Sequence, residues 1–337
     1  MMHILISRTD SIGDVVLTIP VAGLIKKQYP NARISFIGRS YTEPVIRLSQ
    51  HIDEFINYDL FENHKLTDRI KFLQDLKADW IIHVFPQKKL CRDAKKAGIK
   101  NRVGTSHRTY HWTTCNRLVS FTRKNSDLHE SQLNCKLLSP LNIAVPELDK
   151  IREFYGFKKP DHNRIKMENL LDKKRKNIVL HPKSKGHGRE WGLPNFEALI
   201  HKLPQQRYKI FISGTRAEGD QMKDLLERNR EHVTDLTGTF NLDEYITFLS
   251  LADAIVASGT GPLHIAAALG TLAIGLFPPI RPIHPGRWAP VGEIVEVLVK
   301  QVPECNECRK TLDCKCIRDI SPNQVLEILN RRLKGKN

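Results

Sequence analysis

Asp14 is the first residue whose type and place could do chemistry. It follows Gly13 directly, between an opening apolar run, HILIS (His3–Ser7), and a stretch with helical periodicity. A carboxylate there lies near the positive end of a helix dipole and near free N–H groups, which keep it ionised. In that state it can take the proton of an attacking hydroxyl. An Asp at such a junction can equally do no more than cap the helix. A second stretch is VASGTGPLHIAAAL, residues 256–269. It reads as the end of a buried strand, a turn of Gly259, Thr260, Gly261 and Pro262, and a small-residue helix opened by His264. Glycine lets a phosphate approach the backbone closely, and proline suits a first helical turn. The unpaired N–H groups of that turn form an anion site, unless the turn is a plain strand-to-helix connection.

Two further loops offer polar groups. HPKSKGHGREWG (181–192) carries Ser184, Lys185 and Arg189, donors suited to a diphosphate, or is simply an exposed basic loop. SGTRAEGD (213–220) carries Glu218, which either accepts from a ribose or base or is a surface carboxylate. The chain has no Asp-x-Asp pair to carry a divalent ion. Lys, Arg, His and helix N-termini would therefore neutralise a departing diphosphate, which predicts a metal-independent site. Near the end, Cys305, Cys308, Cys314 and Cys316 form C-x2-C-x5-C-x-C. Structural zinc, free thiols and a disulfide pair all fit that spacing.

The elements that must position these groups alternate. Short apolar runs at 3–7, 33–38, 53–59, 79–85 and 102–105 read as strands, with helical patterns running to about 29 and over 66–76 between them. A second series starts at 177–182 and continues through 208–214, 234–238 and 253–258, with helices near 195–203, 217–229 and 243–251. Such alternation predicts α/β architecture with parallel sheets, ligands binding at the carboxyl ends of the strands. The expected division is a first domain over 1–155, a polar linker over 156–176, a second domain over 177–320 and a closing C-terminal helix within 321–337.

Of 337 residues, 53 are Lys or Arg and 37 Asp or Glu, a net charge of +16. That excess calls for an acidic partner: nucleic acid, an anionic membrane face or a phosphorylated substrate. Residues 86–124 hold eleven Lys/Arg against one acid, Asp93, and read as a basic surface, partly loop. The N-terminus reads as a strand, not a signal peptide, and no apolar run reaches 18 residues. Seven cysteines without an export signal do not make a disulfide framework the default.

Three motifs in order, ILISRTDSIGDVVLTIP, HPKSKGHGREW and SGTGPLHIAAALGT followed by FPP and RW, resemble glycosyltransferase family 9, the ADP-heptose:lipopolysaccharide heptosyltransferase-like enzymes. The resemblance covers nearly the whole chain. It implies a GT-B fold, two Rossmann-like domains facing a central cleft, with acceptor in the first and nucleotide-sugar in the second. It implies inverting transfer from an ADP-sugar with no cofactor, Asp14 as general base, Ser184, Lys185 and Arg189 on the phosphate loop, Glu218 on the adenosine side, and Thr260, Gly261 and His264 on the diphosphate turn. The partners so implied are a nucleotide-sugar and an anionic glycolipid, met by a cytoplasmic protein peripheral to the inner membrane. One position departs: the family commonly carries Asp before the Thr-Gly, on the heptose hydroxyls, and this chain has Gly259. A different donor sugar stays open. The rivals are a non-catalytic nucleic-acid-binding protein, which the charge favours and the lack of any recognisable module opposes, and a GT-B epimerase.

Overall fold

The computed structural model describes residues 1–123, 126–184, 186, 188–302, 305–311 and 313–334, the side chains of 306 and 307 aside. The chain divides into two compact units, Met1–Lys158 and Lys159–Asn337.

The first unit is built on six parallel strands: β1 (His3–Ser7), β2 (Arg33–Gly38), β3 (Glu54–Asn57), β4 (Trp80–His83), β5 (Asn101–Thr105) and β6 (Arg117–Val119). Their order is β3-β2-β1-β4-β5-β6. All five residues of β1 are buried, as expected of a central parallel strand covered on both faces. The order reverses between β1 and β4, so the loop after β1, which carries Asp14, opens at the point where doubly wound sheets bind ligands. The single helix expected up to residue 29 is two, Ile12–Val16 and Pro20–Gln28. Pro20 causes the break: it has no N–H to continue the first helix and is well placed to start the second.

The basic stretch 86–124 is partly loop, as expected, with four elements set into it. They are the Lys88–Lys96 helix, β5, the His111–Thr114 helix and β6. The Lys88–Lys96 helix buries Leu90, Cys91 and Ala94 on one face. Its acid, Asp93, is also buried and pairs with Arg69 at 2.7 Å.

The second unit repeats the plan with β7 (Lys176–His181), β8 (Tyr208–Ile212), β9 (Val233–Asp235), β10 (Ala254–Ser258), β11 (Leu272–Phe277) and β12 (Val295–Val299). All are parallel, ordered β12-β11-β10-β7-β8-β9. Counted from its own first strand, this is the same topology as the first sheet. The reversal lies between β7 and β10, the two strands that feed the 184–190 loop and the 259–264 turn. The stretch read as a linker contains the Arg164–Leu170 helix, with Met167 fully buried and Lys166 paired to Glu244 at 3.0 Å. The Pro322–Arg332 helix packs on the Leu193–Lys202 helix and puts Val325, Ile328 and Leu329 into the core of this unit.

Candidate active site

In the first unit the polar groups after β1 gather around Arg8. Its side chain is only 3% exposed. The guanidinium donates to Asp10 at 2.7 Å, to Glu130 and Asn134 at 3.3 Å each, and to Asp14. Burial works against the Arg8 charge, but Asp14, Asp10 and Glu130 outweigh it and raise its pKa. Asp14 sits in the first turn of the Ile12–Val16 helix, not at its N-cap, which is Ser11. The Ser11 hydroxyl donates to one Asp14 oxygen and Arg8 to the other. The carboxylate is thus fixed in direction while 18% of the side chain stays exposed. An oriented, accessible, cation-backed carboxylate is the arrangement a general base needs. Burial raises the neighbouring Asp10 to about 6, against the pull of Arg8 and with the push of Asp14. Glu130, 1% exposed, also takes Arg123 at 3.0 Å.

In the second unit the 184–190 loop and the 259–264 turn meet. A Cβ built on Gly188 would lie 3.7 Å from the Gly259 carbonyl and 3.7 Å from Ser184 Cβ. Glu190 organises the loop: it accepts from the Ser184 N–H at 3.0 Å, from the Ser184 hydroxyl at 3.2 Å and from Lys183 at 2.7 Å. Lys185 lies outside the described residues. Thr260 is the N-cap of the Gly261–Ala268 helix, yet its hydroxyl caps nothing. Thr260 Oγ1 and Arg189 Nε are both buried with no hydrogen-bond partner among the described residues. An unpaired buried donor costs about 1–3 kcal/mol, so two beside a Gly-rich turn amount to stored capacity for an acceptor-rich ligand. His264 lies one turn on and is 3% exposed.

Glu218 closes a capping box: its Oε2 accepts from the Thr215 N–H at 2.7 Å and the Thr215 hydroxyl at 2.9 Å. That oxygen holds the Arg216–Gln221 helix. Gly259 is flanked by the Phe277 ring, whose Cε1 would be 2.8 Å from a Cβ placed there.

The four C-terminal cysteines converge. The sulfurs of Cys305, Cys308 and Cys316 lie within 4.8 Å of one another, and Cys314 hydrogen-bonds Cys308. Burial opposes it, but hydrogen bonds from the Cys316 backbone and the three other thiols bring Cys308 down to about 7. A quartet of soft donors with one incipient thiolate fits zinc. It is joined to the 184–190 loop, since Arg189 donates to the Cys308 carbonyl at 3.2 Å and the Trp191 indole to the Ile320 carbonyl at 2.8 Å.

Arg8, Asp10, Glu130 and Glu190 were not anticipated. No spacing marks them, because their partners lie across the fold. RTD directly before SIGD was the one local hint, two acids flanking a strand end beside an arginine.

Residues 94–317 match the family model for glycosyltransferase family 9 (heptosyltransferase). Lipopolysaccharide heptosyltransferase 3 of Escherichia coli is 25% identical over 79% of this chain and 80% of its own length. Lipooligosaccharide heptosyltransferase 2 of Haemophilus influenzae is 22% identical over 98% of this chain and 99% of its own. Among solved structures, Escherichia coli ADP-heptose lps heptosyltransferase II superposes with a TM-score of 0.76 at 18% identity, covering 99% of this chain and 98% of that one. The fold is GT-B, two Rossmann-like domains.

Proposed function

The chain belongs to glycosyltransferase family 9 and is a glycosyltransferase, and on that premise we propose that it moves a heptose or related sugar from an ADP-linked donor to a lipopolysaccharide-core or related glycolipid acceptor, with inversion and without a catalytic metal. The observation that carries the reading is the pair of unpartnered donors, Thr260 Oγ1 and Arg189 Nε, on the two loops that meet at the second sheet's reversal point. With Ser184, the Gly261 turn and His264 they form the diphosphate cradle, to which the sequence motif adds Lys185. Glu218 lies at the next strand end, on the adenosine side.

The acceptor hydroxyl gives its proton to Asp14, and its oxygen attacks the anomeric carbon. The bond from that carbon to the diphosphate oxygen breaks, and the leaving charge passes to the cationic loop and the helix N-terminus. Arg8 and Ser11 keep Asp14 aimed. The cysteine quartet would hold a structural zinc, and Arg189 is tied to it through the Cys308 carbonyl.

The acceptor's anionic surroundings meet the basic face of the first unit. Arg92, Lys95, Lys96, Lys100, Arg108 and Arg117 are exposed there beside Trp112, which is 64% exposed. Amphipathic indole among cations suits the headgroup region of an anionic bilayer, and we place the protein at the cytoplasmic face of the inner membrane. No helix among the described residues is long and apolar enough to cross one.

The test is a panel of ADP-, GDP-, UDP- and CDP-linked sugars, read by thermal shift and by product analysis with and without a truncated core glycolipid. Acceptor-dependent product from an ADP-sugar in chelator supports the reading. Preference for another base, epimerised sugar without acceptor, or a requirement for added divalent ion overturns it.

A further inference from the structure

A second group of metal-ligating side chains lies inside the first unit, and the transfer reaction has no use for it. His83 ends β4, Cys91 belongs to the Lys88–Lys96 helix and Cys115 follows the His111–Thr114 helix. They are 1%, 0% and 7% exposed. A ring nitrogen of His83 and the sulfurs of Cys91 and Cys115 lie within 4.8 Å of one another. His111, fully buried, stacks beside His83 with ring centroids 6.3 Å apart.

Hydrogen bonding holds both imidazoles through Nδ1. The Ser7 hydroxyl oxygen lies 3.3 Å from His83 Nδ1 and 3.4 Å from the Ile82 carbonyl. His111 Nδ1 faces the Thr105 carbonyl at 2.9 Å, and a carbonyl can only accept. His111 therefore carries its lone pair on Nε2, and His83 does so when its Nδ1–H donates to the Ser7 oxygen. Both Nε2 atoms are buried with no partner among the described residues. One thiol, Cys91, is spent on the other, Cys115. Two adjacent imidazoles with bare lone pairs, each held through its other nitrogen by an oxygen, beside two thiols, reproduce the way proteins orient metal ligands from behind.

We propose that His83, Cys91 and Cys115 bind a zinc ion in the interior of the first unit, with His111, which lies outside that close group, turning in as fourth ligand. On binding, the two thiols release two protons to solvent and coordinate as thiolates, and the two imidazoles coordinate neutral through Nε2. Tetrahedral zinc with bonds of about 2.3 Å to sulfur and about 2.0–2.1 Å to nitrogen sets its ligand atoms roughly 3.5–3.8 Å apart, inside the spread the three already show. The ion ties β4 to both helices of the basic face and, through Ser7, to the strand end that leads into Arg8. Burial on every side means that it enters during folding and is not stripped from the folded chain.

The experiment is zinc content by mass spectrometry on the full-length chain, purified without chelator. Two variants accompany it: C91S/C115S, and C305S/C308S/C314S/C316S as the control for the C-terminal quartet. The quartet variant is expected to keep one zinc per chain and C91S/C115S to lose one relative to the unmutated protein. Should C91S/C115S not fold, X-ray absorption at the zinc edge of the quartet variant reads the ligands directly, with a shell of two sulfurs and two nitrogens expected. Equal zinc in C91S/C115S and the unmutated chain, a sulfur-only shell, or a Cys91–Cys115 disulfide in place of the ion overturns the proposal.

Discussion

Arg8 and Glu130, 122 residues apart in sequence, meet at 3.3 Å with side chains 3% and 1% exposed. That contact anchors the guanidinium whose other arms hold Asp10 and Asp14. Removing the cation takes the guanidinium from Asp10 and Asp14 and leaves Glu130 with Arg123, a loss of buried pairing that costs about 3–5 kcal/mol. Arg8→Met is expected to lose stability in that range by urea denaturation. Arg8→Lys keeps the charge but not the planar fork, so it is expected to retain more stability than activity.

Asp14→Asn is expected to lower kcat by about 10²–10⁴, the usual contribution of a positioned general base. Nucleotide binding, measured by calorimetry with ADP, is expected to stay unchanged, because the groups proposed to hold it belong to the second unit. Near-normal turnover in this variant would remove the base assignment.

Gly259→Asp restores the acid that the family commonly carries. Its Cβ would stand 2.8 Å from Phe277 Cε1, and that ring is 1% exposed. Overpacking of this kind costs about 1–3 kcal/mol. The single variant is expected to melt lower than the parent, and Gly259→Asp with Phe277→Leu to recover most of the loss. A single variant as stable as the parent would show that the ring yields freely.

How far the sequence could be read follows from what kind of interaction each feature rests on. The strands were legible because continuous apolar runs such as HILIS and DAIVAS must be buried on both faces. The Gly-Thr-Gly-Pro turn was legible because Gly and Pro have few other reasons to cluster at a strand end. The Lys88–Lys96 helix was hidden because five cations in nine residues mask the short apolar face of Leu90, Cys91 and Ala94. Arg8 read as an ordinary loop cation, since nothing local announces a partner as distant as Glu130. Glu218 shows the reverse: its spacing from Thr215 is also that of a capping box, and the structure uses it as one.

Asp10 carries a pH dependence whose sign is fixed. Its pKa is about 6 in the folded chain against an ordinary 3.8. Between those values the folded chain keeps a proton that the unfolded chain has lost. Asp10 therefore contributes stability that is complete below 3.8 and is lost as pH rises through 6. The melting temperature of Asp10→Asn, relative to the parent at the same pH, is expected to climb across that window and then level off. A difference that stays flat would contradict the burial argument.

Trp112→Ala is expected to weaken partition onto vesicles containing anionic lipid by about tenfold, the scale of losing one buried aromatic. Raising salt should weaken both proteins, and neutral vesicles should bind neither. Equal partition of the two proteins would move the membrane contact elsewhere.

The Pro322–Arg332 helix lies inside the core of the second unit, whereas the first unit is complete at Lys158. During synthesis, then, the first sheet can fold while the second is still being translated. The second cannot close until its last helix has left the ribosome. A ribosome stalled before that point would display a finished first unit and a second still open to chaperones.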